Sequence, residues 1–299
     1  MGFVRGMLAI TGGAVTVGTV TAQIMYEIRG TQYLNPDVTA HFDTLRIDHD
    51  TDSRVATLVL NRPGKLNALS RQLLGELARA CRWLDDRSDI AVVVVRGEGR
   101  AFSAGFDLGD FADGDPTISV RDTADLGRVA AEALTDVRQL TIAALHGHCV
   151  GGGLVLAASC DIRVAADDTR FSIPEVDLGI PLAWGGIPRL TRELGPAITK
   201  ELVLTCRPFD AAEAHALRFV NSVVPAGELD VVVADLAAEL AAKPSFALRT
   251  TKQQVNAVME EIAGTRRNAS DADTLAAAVA DPESRQASLR YLEARRPSG

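Results

Sequence analysis

The chain is 299 residues long, 47% apolar and 23% charged, with a formal net charge of −8 at pH 7. That length and apolar content suffice for one large hydrophobic core, or one and a half domains. The negative balance and the lack of basic runs argue against a dedicated nucleic-acid surface, although a few local cations can still hold an anionic ligand. The four cysteines, Cys81, Cys149, Cys160 and Cys206, lie far apart and show no metal-ligand spacing. They read as buried free thiols of a reducing compartment, so a cytoplasmic protein without a metal site is expected.

From Gly6 to Tyr26 there is no charged residue, and Arg5 precedes the run. That pattern imitates a signal sequence or membrane anchor. Threonines at 11, 16, 19 and 21 and glycines at 12, 13 and 18 dilute its hydrophobicity, which argues against membrane association. Residues 1–40 are read as an extension of unknown role, an appended segment or the product of a start assigned too far upstream.

The globular pattern begins near His41. Phe42–His49 alternates, and Val55–Leu60 resumes the alternation after a polar turn at Asp50–Ser53, which predicts a hairpin. Asn61-Arg62-Pro63-Gly64 ends the second strand. Ser70 is expected to cap a helix from Arg71 to about Asp85, with Leu73, Leu74, Leu77 and Cys81 on one face. Ile90–Val95 is a short continuous aliphatic run, the mark of a strand covered on both sides. Thr123–Gln139 reads as a helix, Thr141–Leu145 as a buried strand, Leu154–Ser159 as a helix and Ile162–Ala166 as a strand. After Asp210 alanine-rich helical segments dominate: Ala211–Leu217, Leu229–Ala242, Ser245–Val258, Thr274–Ala280 and Pro282–Glu293. Two strands and a helix, recurring with variations, predict stacked ββα turns rather than a simple doubly wound sheet. The expected fold is α/β, with a ββα core over 41–210. A helical region over 211–299 would pack on a neighbouring subunit or over a ligand.

Two stretches carry the chemistry. In Thr141–Asp161, TIAALHGHCVGGGLVLAASCD, a strand reaches glycines at 147, 151, 152 and 153 and then a small-residue helix. Such glycines let the backbone approach a ligand, and the helix aims its positive end at the same spot. The place suits an oxyanion if a second N–H faces it, and the turn at Ser103–Asp107, within AFSAGFDL, is the candidate partner. Taken alone, a glycine-rich turn of this type also serves phosphates or tight packing.

The order NRPGKLNALS, VVVVRGEGRAFSAGFDL, HGHCVGGGLVLAASCDIRVA, RFSIPEVDLGI and TCRPFDAAEAHALRFVNSVVP resembles the crotonase superfamily, the enoyl-CoA hydratase/isomerase group, over about residues 41–260. The resemblance implies a crotonase-like ββα superhelix with a C-terminal helical region, assembled as homotrimers or dimers of trimers. It implies acyl-CoA thioesters as substrates and no separate cofactor, coenzyme A being part of the substrate. It would make the backbone N–H groups of Phe106 and Gly152 an oxyanion hole for the thioester carbonyl. Arg100 matches a position near the CoA phosphates, and Ala104 one whose backbone contacts adenine. Lys65 is a further phosphate contact or a solvated loop lysine, and Asp107 joins the substrate-contacting residues.

Hydratases of this group hold water between two glutamates, one two residues after the glycine cluster and the other twenty residues further on. Here those positions are Val155 and Glu175. Valine cannot hold or deprotonate water. A single carboxylate instead suits migration of a double bond from the 3- to the 2-position, with Glu175 moving the proton and Val155, Leu154 and Ile173 as an apolar wall that raises its pKa. Asp177 reads as a supporting acid. Ala183, eight residues after Glu175, stands where dienoyl-CoA isomerases and hydroxyacyl-CoA hydrolases of the group place an aspartate. His146 and His148 read as hydrogen-bonded packing residues, and Trp184 as a lining of the acyl pocket or of the core. The expected function is enoyl-CoA isomerisation. The alternatives are hydration by Glu175 alone or a non-catalytic acyl-CoA-binding subunit; RNA binding is disfavoured by charge.

Overall fold

The expected hairpin is present: β1 (Leu45–His49) pairs antiparallel with β2 (Val55–Leu60), Leu45 opposite Leu60. The structure, a computed structural model, describes residues 41–112, 119–265 and 270–294; the extension before residue 41 and part of the segment between Asp110 and Leu126 lie outside them. From β2 onward every pairing in the main sheet is parallel, through β3 (Val92–Gly97), β4 (Leu140–Leu145), β6 (Ile162–Ala166) and β9 (Ser222–Val224). A second, three-stranded sheet joins β5 (His148–Val150), β7 (Arg170–Ser172) and β8 (Phe209–Asp210). The sequence reading contains none of its strands. They are two or three residues long, too short for periodicity to appear.

The aliphatic run in β3 is buried on both faces because alternate valines enter different cores. Val93 and Val95 join Leu58, Leu60 and Leu145 under α1 (Arg71–Asp85) and α3 (Val120–Asp136). Val92 and Val94 join Ile142 and Val164 against Leu229, Val233 and Ala237 of α7 (Leu229–Ala241). In α1 the Ser70 hydroxyl accepts the Leu73 N–H as expected, and Leu73, Leu74, Leu77 and Cys81 are buried. The α3 helix starts and stops three residues earlier than the sequence reading. Ser119 caps it, and Gln139 leaves it to donate to the carbonyls of Leu84 and Arg87 at 2.7 and 3.0 Å.

No helix is legible in the sequence between Glu175 and Asp210, where α5 (Gly186–Thr205) lies. Its periodicity is broken by Gly195 (φ 76°) and Pro196, at which it bends. The remaining helices are α2 (Leu108–Ala112), α4 (Gly152–Ser159), α6 (Ala211–Ala216), α8 (Ser245–Ile262), α9 (Asp271–Ala280) and α10 (Pro282–Glu293). The last two fold back onto the chain's own core. Asp273 pairs with Arg121 of α3 at 2.6 Å, Asp271 accepts the Gly185 N–H at 2.8 Å, and Ala272 is buried. All four cysteines are buried and free. Among the described residues no helix is long and apolar enough to cross a membrane.

Candidate active site

The two stretches singled out by sequence are stitched together through their backbones. Phe102 and Ser103 donate to the carbonyls of His146 and His148 at 2.9 Å each, and Val150 donates to Ser103 O at 3.0 Å. Gly105 (φ 86°) and Gly151 (φ 51°) take left-handed conformations at the two turns. A Cβ on Gly105 would stand 2.8 Å from the Val150 carbonyl oxygen and 3.7 Å from the Gly152 nitrogen, so the turns meet closely. Gly152 opens α4, where the N–H has no partner within the helix. The N–H groups of Phe106 and Gly152 donate to no described group, and both residues line one cavity of about 510 Å³.

Glu175 enters the same cavity from the turn after β7, a turn closed by the Ile180 N–H on the Glu175 carbonyl at 2.9 Å. Its Oε1 lies so close to Gly151 that a Cβ there would stand 2.4 Å away. Its Oε2 is buried and has no hydrogen-bond partner among the described residues. Burial pushes the carboxyl pKa from an ordinary 4.5 to about 7, against the smaller pull of the residue's own N–H. Val155, a turn into α4 and 1% exposed, lines the cavity, as does Ala183.

Trp184 lines the cavity and belongs to the core at once. Cβ atoms on Gly127 of α3 and Gly152 of α4 would stand 1.9 and 2.3 Å from indole carbons, so these two glycines form the slot for the ring. The Phe106 ring meets it edge-to-face at 6.0 Å. The backbone of Trp184 is left-handed (φ 61°), and buried Arg189 holds its carbonyl at 3.0 Å.

Ala104, Phe106, Gly152, Val155, Glu175 and Trp184 therefore converge on one cavity, whereas Lys65, Arg100 and Asp107 are not on its wall. Arg100 is exposed. Lys65 is largely exposed, 3.4 Å from Asp107. Asp107, expected among the substrate-contacting residues, lies off the cavity wall. Its carboxylate is buried and committed to Arg62 at 2.8 Å and to the Gly109 N–H at 3.1 Å. Burial opposes its charge, but these bonds and the two cations hold its pKa below the usual carboxylate range. It braces the turn that carries Phe106. Asp177 and His148 are exposed, and His148 does not pack within this chain; His146 bonds the Gly99 carbonyl at 3.1 Å. Sequence reasoning missed Arg71, Asp110 and the lining supplied by Leu275, Val279, Tyr291 and Leu292 of the last two helices. Only the apolar stripe of those helices hinted at the latter.

The family model described as enoyl-CoA hydratase/isomerase matches residues 50–298. A model for the acyclic terpene utilisation family protein AtuA matches residues 4–61, less than half of the chain, and shows no family. A probable enoyl-CoA hydratase, echA8, of Mycobacterium bovis is 39% identical over 223 residues, covering 73% of this chain and 83% of its own. A peroxisomal Delta(3,5)-Delta(2,4)-dienoyl-CoA isomerase of Arabidopsis thaliana is 37% identical, covering 69% of this chain and 78% of its own. The crystal structure of a probable enoyl-CoA hydratase from Mycobacterium thermoresistibile superposes with a TM-score of 0.70 at 33% identity, over 82% of this chain and 97% of that one. With the motifs, the parallel sheet and the paired turns in place, these likenesses make the chain a member of the enoyl-CoA hydratase/isomerase family, with the crotonase fold.

Proposed function

We propose that this protein is an enoyl-CoA isomerase that moves a double bond from the 3- to the 2-position of an acyl-CoA. The observation that carries the reading is Glu175: a buried carboxyl with an unpartnered oxygen and a pKa near 7, facing Val155 where a hydratase would hold its second glutamate. In this reading the Glu175 carboxylate takes a proton from C2, and the C–H electron pair moves into the thioester to give a dienolate. The N–H groups of Phe106 and Gly152 stabilise the oxygen as it gains charge, and losing one such donor costs on the order of 3–4 kcal/mol of barrier. Glu175, now protonated, returns the proton to C4, leaving the double bond between C2 and C3. The apolar surround keeps the acid from competing water and brings its pKa near the operating pH. Arg100 and Lys65 are proposed to meet the CoA phosphates, and Ala104 its adenine.

Hydration by Glu175 alone is the second reading, favoured by the relatives whose names describe hydratases. Wild type and Glu175→Gln are to be incubated with 3-enoyl-CoA and 2-enoyl-CoA of several chain lengths. Isomerisation of the 3-enoyl series, reduced at least about a hundredfold by the substitution, is expected. Untouched 3-enoyl-CoA alongside rapid hydration of 2-enoyl-CoA would sink the isomerase reading.

A further inference from the structure

The cavity has few polar groups. Besides Glu175, the described charged residues on its wall are Arg71 and Asp110. Arg71 opens α1, two residues beyond Leu69, whose N–H and carbonyl bond Gly105 O and Asp107 N–H at 2.8 and 3.1 Å. It is thus tied to the turn that carries Phe106. Asp110 accepts the backbone N–H of Arg71 at 2.7 Å, which commits that carboxylate oxygen to the first turn of α1. The guanidinium approaches the same oxygen only through Nε, at 3.9 Å, beyond hydrogen-bond reach. Its remaining N–H groups donate to no described group, although the side chain is only 20% exposed.

An arginine cannot shed its proton near neutral pH. The other walls of the cavity include Leu108, Ala124, Leu275, Val279 and Leu292. A hydrocarbon acyl group that filled this space would expel its water and leave the guanidinium, among the described residues, with only the 3.9 Å ion pair to Asp110, which is costly. A carboxylate at the far end of the acyl chain would accept from the guanidinium fork and remove that cost.

We propose that the acyl group taken by this cavity carries a second carboxylate, bound by Arg71, so that the substrate is an unsaturated dicarboxylic acid joined to CoA through one end. This assignment rests on the isomerase reading for its chemistry but not for its binding, and the two are separable. The saturated thioesters hexanoyl-CoA and adipoyl mono-CoA are to be titrated calorimetrically into wild type, Arg71→Met, Arg71→Lys and Arg82→Met. Arg82 is an exposed residue of α1 that does not line the cavity.

Wild type should bind the adipoyl thioester at least about tenfold more tightly than the hexanoyl one. Arg71→Met should erase that ratio, Arg71→Lys should keep part of it and Arg82→Met all of it. A wild-type ratio of one or below overturns the proposal, as does a ratio that survives Arg71→Met. The wild-type ratio and Arg71→Lys still decide the matter if Arg71→Met fails to fold. Turnover of 3-hexenoyl-CoA and 3-hexenedioyl mono-CoA then addresses the chemistry. An adipoyl preference with neither 3-enoyl thioester isomerised would defeat the isomerase reading alone. Ready isomerisation without an adipoyl preference would defeat the Arg71 assignment alone.

Discussion

Glu175 has to carry charge in a place that opposes it, and two measurable consequences follow. The unfolded chain releases this proton near 4.5, whereas the folded protein holds it to about 7. Between those values the native state binds more protons than the unfolded state, so stability falls as pH rises across the window. Glu175→Gln removes the penalty. Its melting temperature should exceed that of wild type by about 5–10 °C at about pH 8, and the two should converge at about pH 4. Identical melts at the higher pH would refute the burial argument. In its proposed role as base the same group must be ionised, so kcat/KM for the proposed isomerisation should rise with pH through an apparent pKa of about 7. The position of Glu175 was legible in the sequence through its spacing from the glycine cluster. Its unpaired oxygen was not, because that depends on which groups of other segments come near. Asp107 shows the converse: its place in the motif was legible, and its commitment to Arg62 was not.

At the scale of elements, α3, α4 and α5 are locked through one indole ring. Trp184, just before α5, fits only because Gly127 and Gly152 lack side chains. Gly127→Ala puts a methyl group 1.9 Å from the ring, with a cost of about 1–3 kcal/mol expected from overpacking. The loss should be partly recovered in the double variant with Trp184→Leu, since the two residues touch. Urea unfolding of the three variants measures this, and strict additivity would show that the ring does not fill the slot. The helices themselves were visible in sequence wherever an apolar face ran for three turns, as in α1. The second sheet and α5 were not. Short strands and a helix broken by Gly195-Pro196 acquire their regularity from pairing and packing, not from local pattern.

For the whole molecule, the position of the last two helices matters most. The sequence left them on a neighbouring subunit or over the ligand, and in the structure they lie over the chain's own cavity. Leu275, Val279, Tyr291 and Leu292 close one side of it, and the Ser288 hydroxyl donates to the Leu178 carbonyl. Gly179 (φ 72°) lets α10 pass, since a Cβ there would stand 2.4 Å from the Ser284 carbonyl oxygen. A chain ending at Gly264 should keep a cooperative melt, because both hydrophobic cores lie almost wholly before that residue. Turnover in the proposed isomerisation should fall at least about tenfold as the cavity opens to water. Calorimetry and the substrate assay read the two effects, and full activity in the truncated chain would refute the closing role of these helices.

By itself the sequence pointed to the family, a ββα core and nine candidate site residues, six of which converge on the cavity. The core follows from local pattern, aliphatic runs and apolar helix faces, whereas the site residues follow from the resemblance of ordered motifs, with glycines and one glutamate at the family's spacing. Only the tertiary structure decided what each polar group faces. It paired Asp107 with Arg62, left one oxygen of Glu175 without a hydrogen-bond partner among the described residues, and brought Arg71 to the wall of an otherwise mostly apolar cavity. Hydrogen-bond partners and dielectric surroundings come from segments far apart in the chain, and no local pattern encodes them.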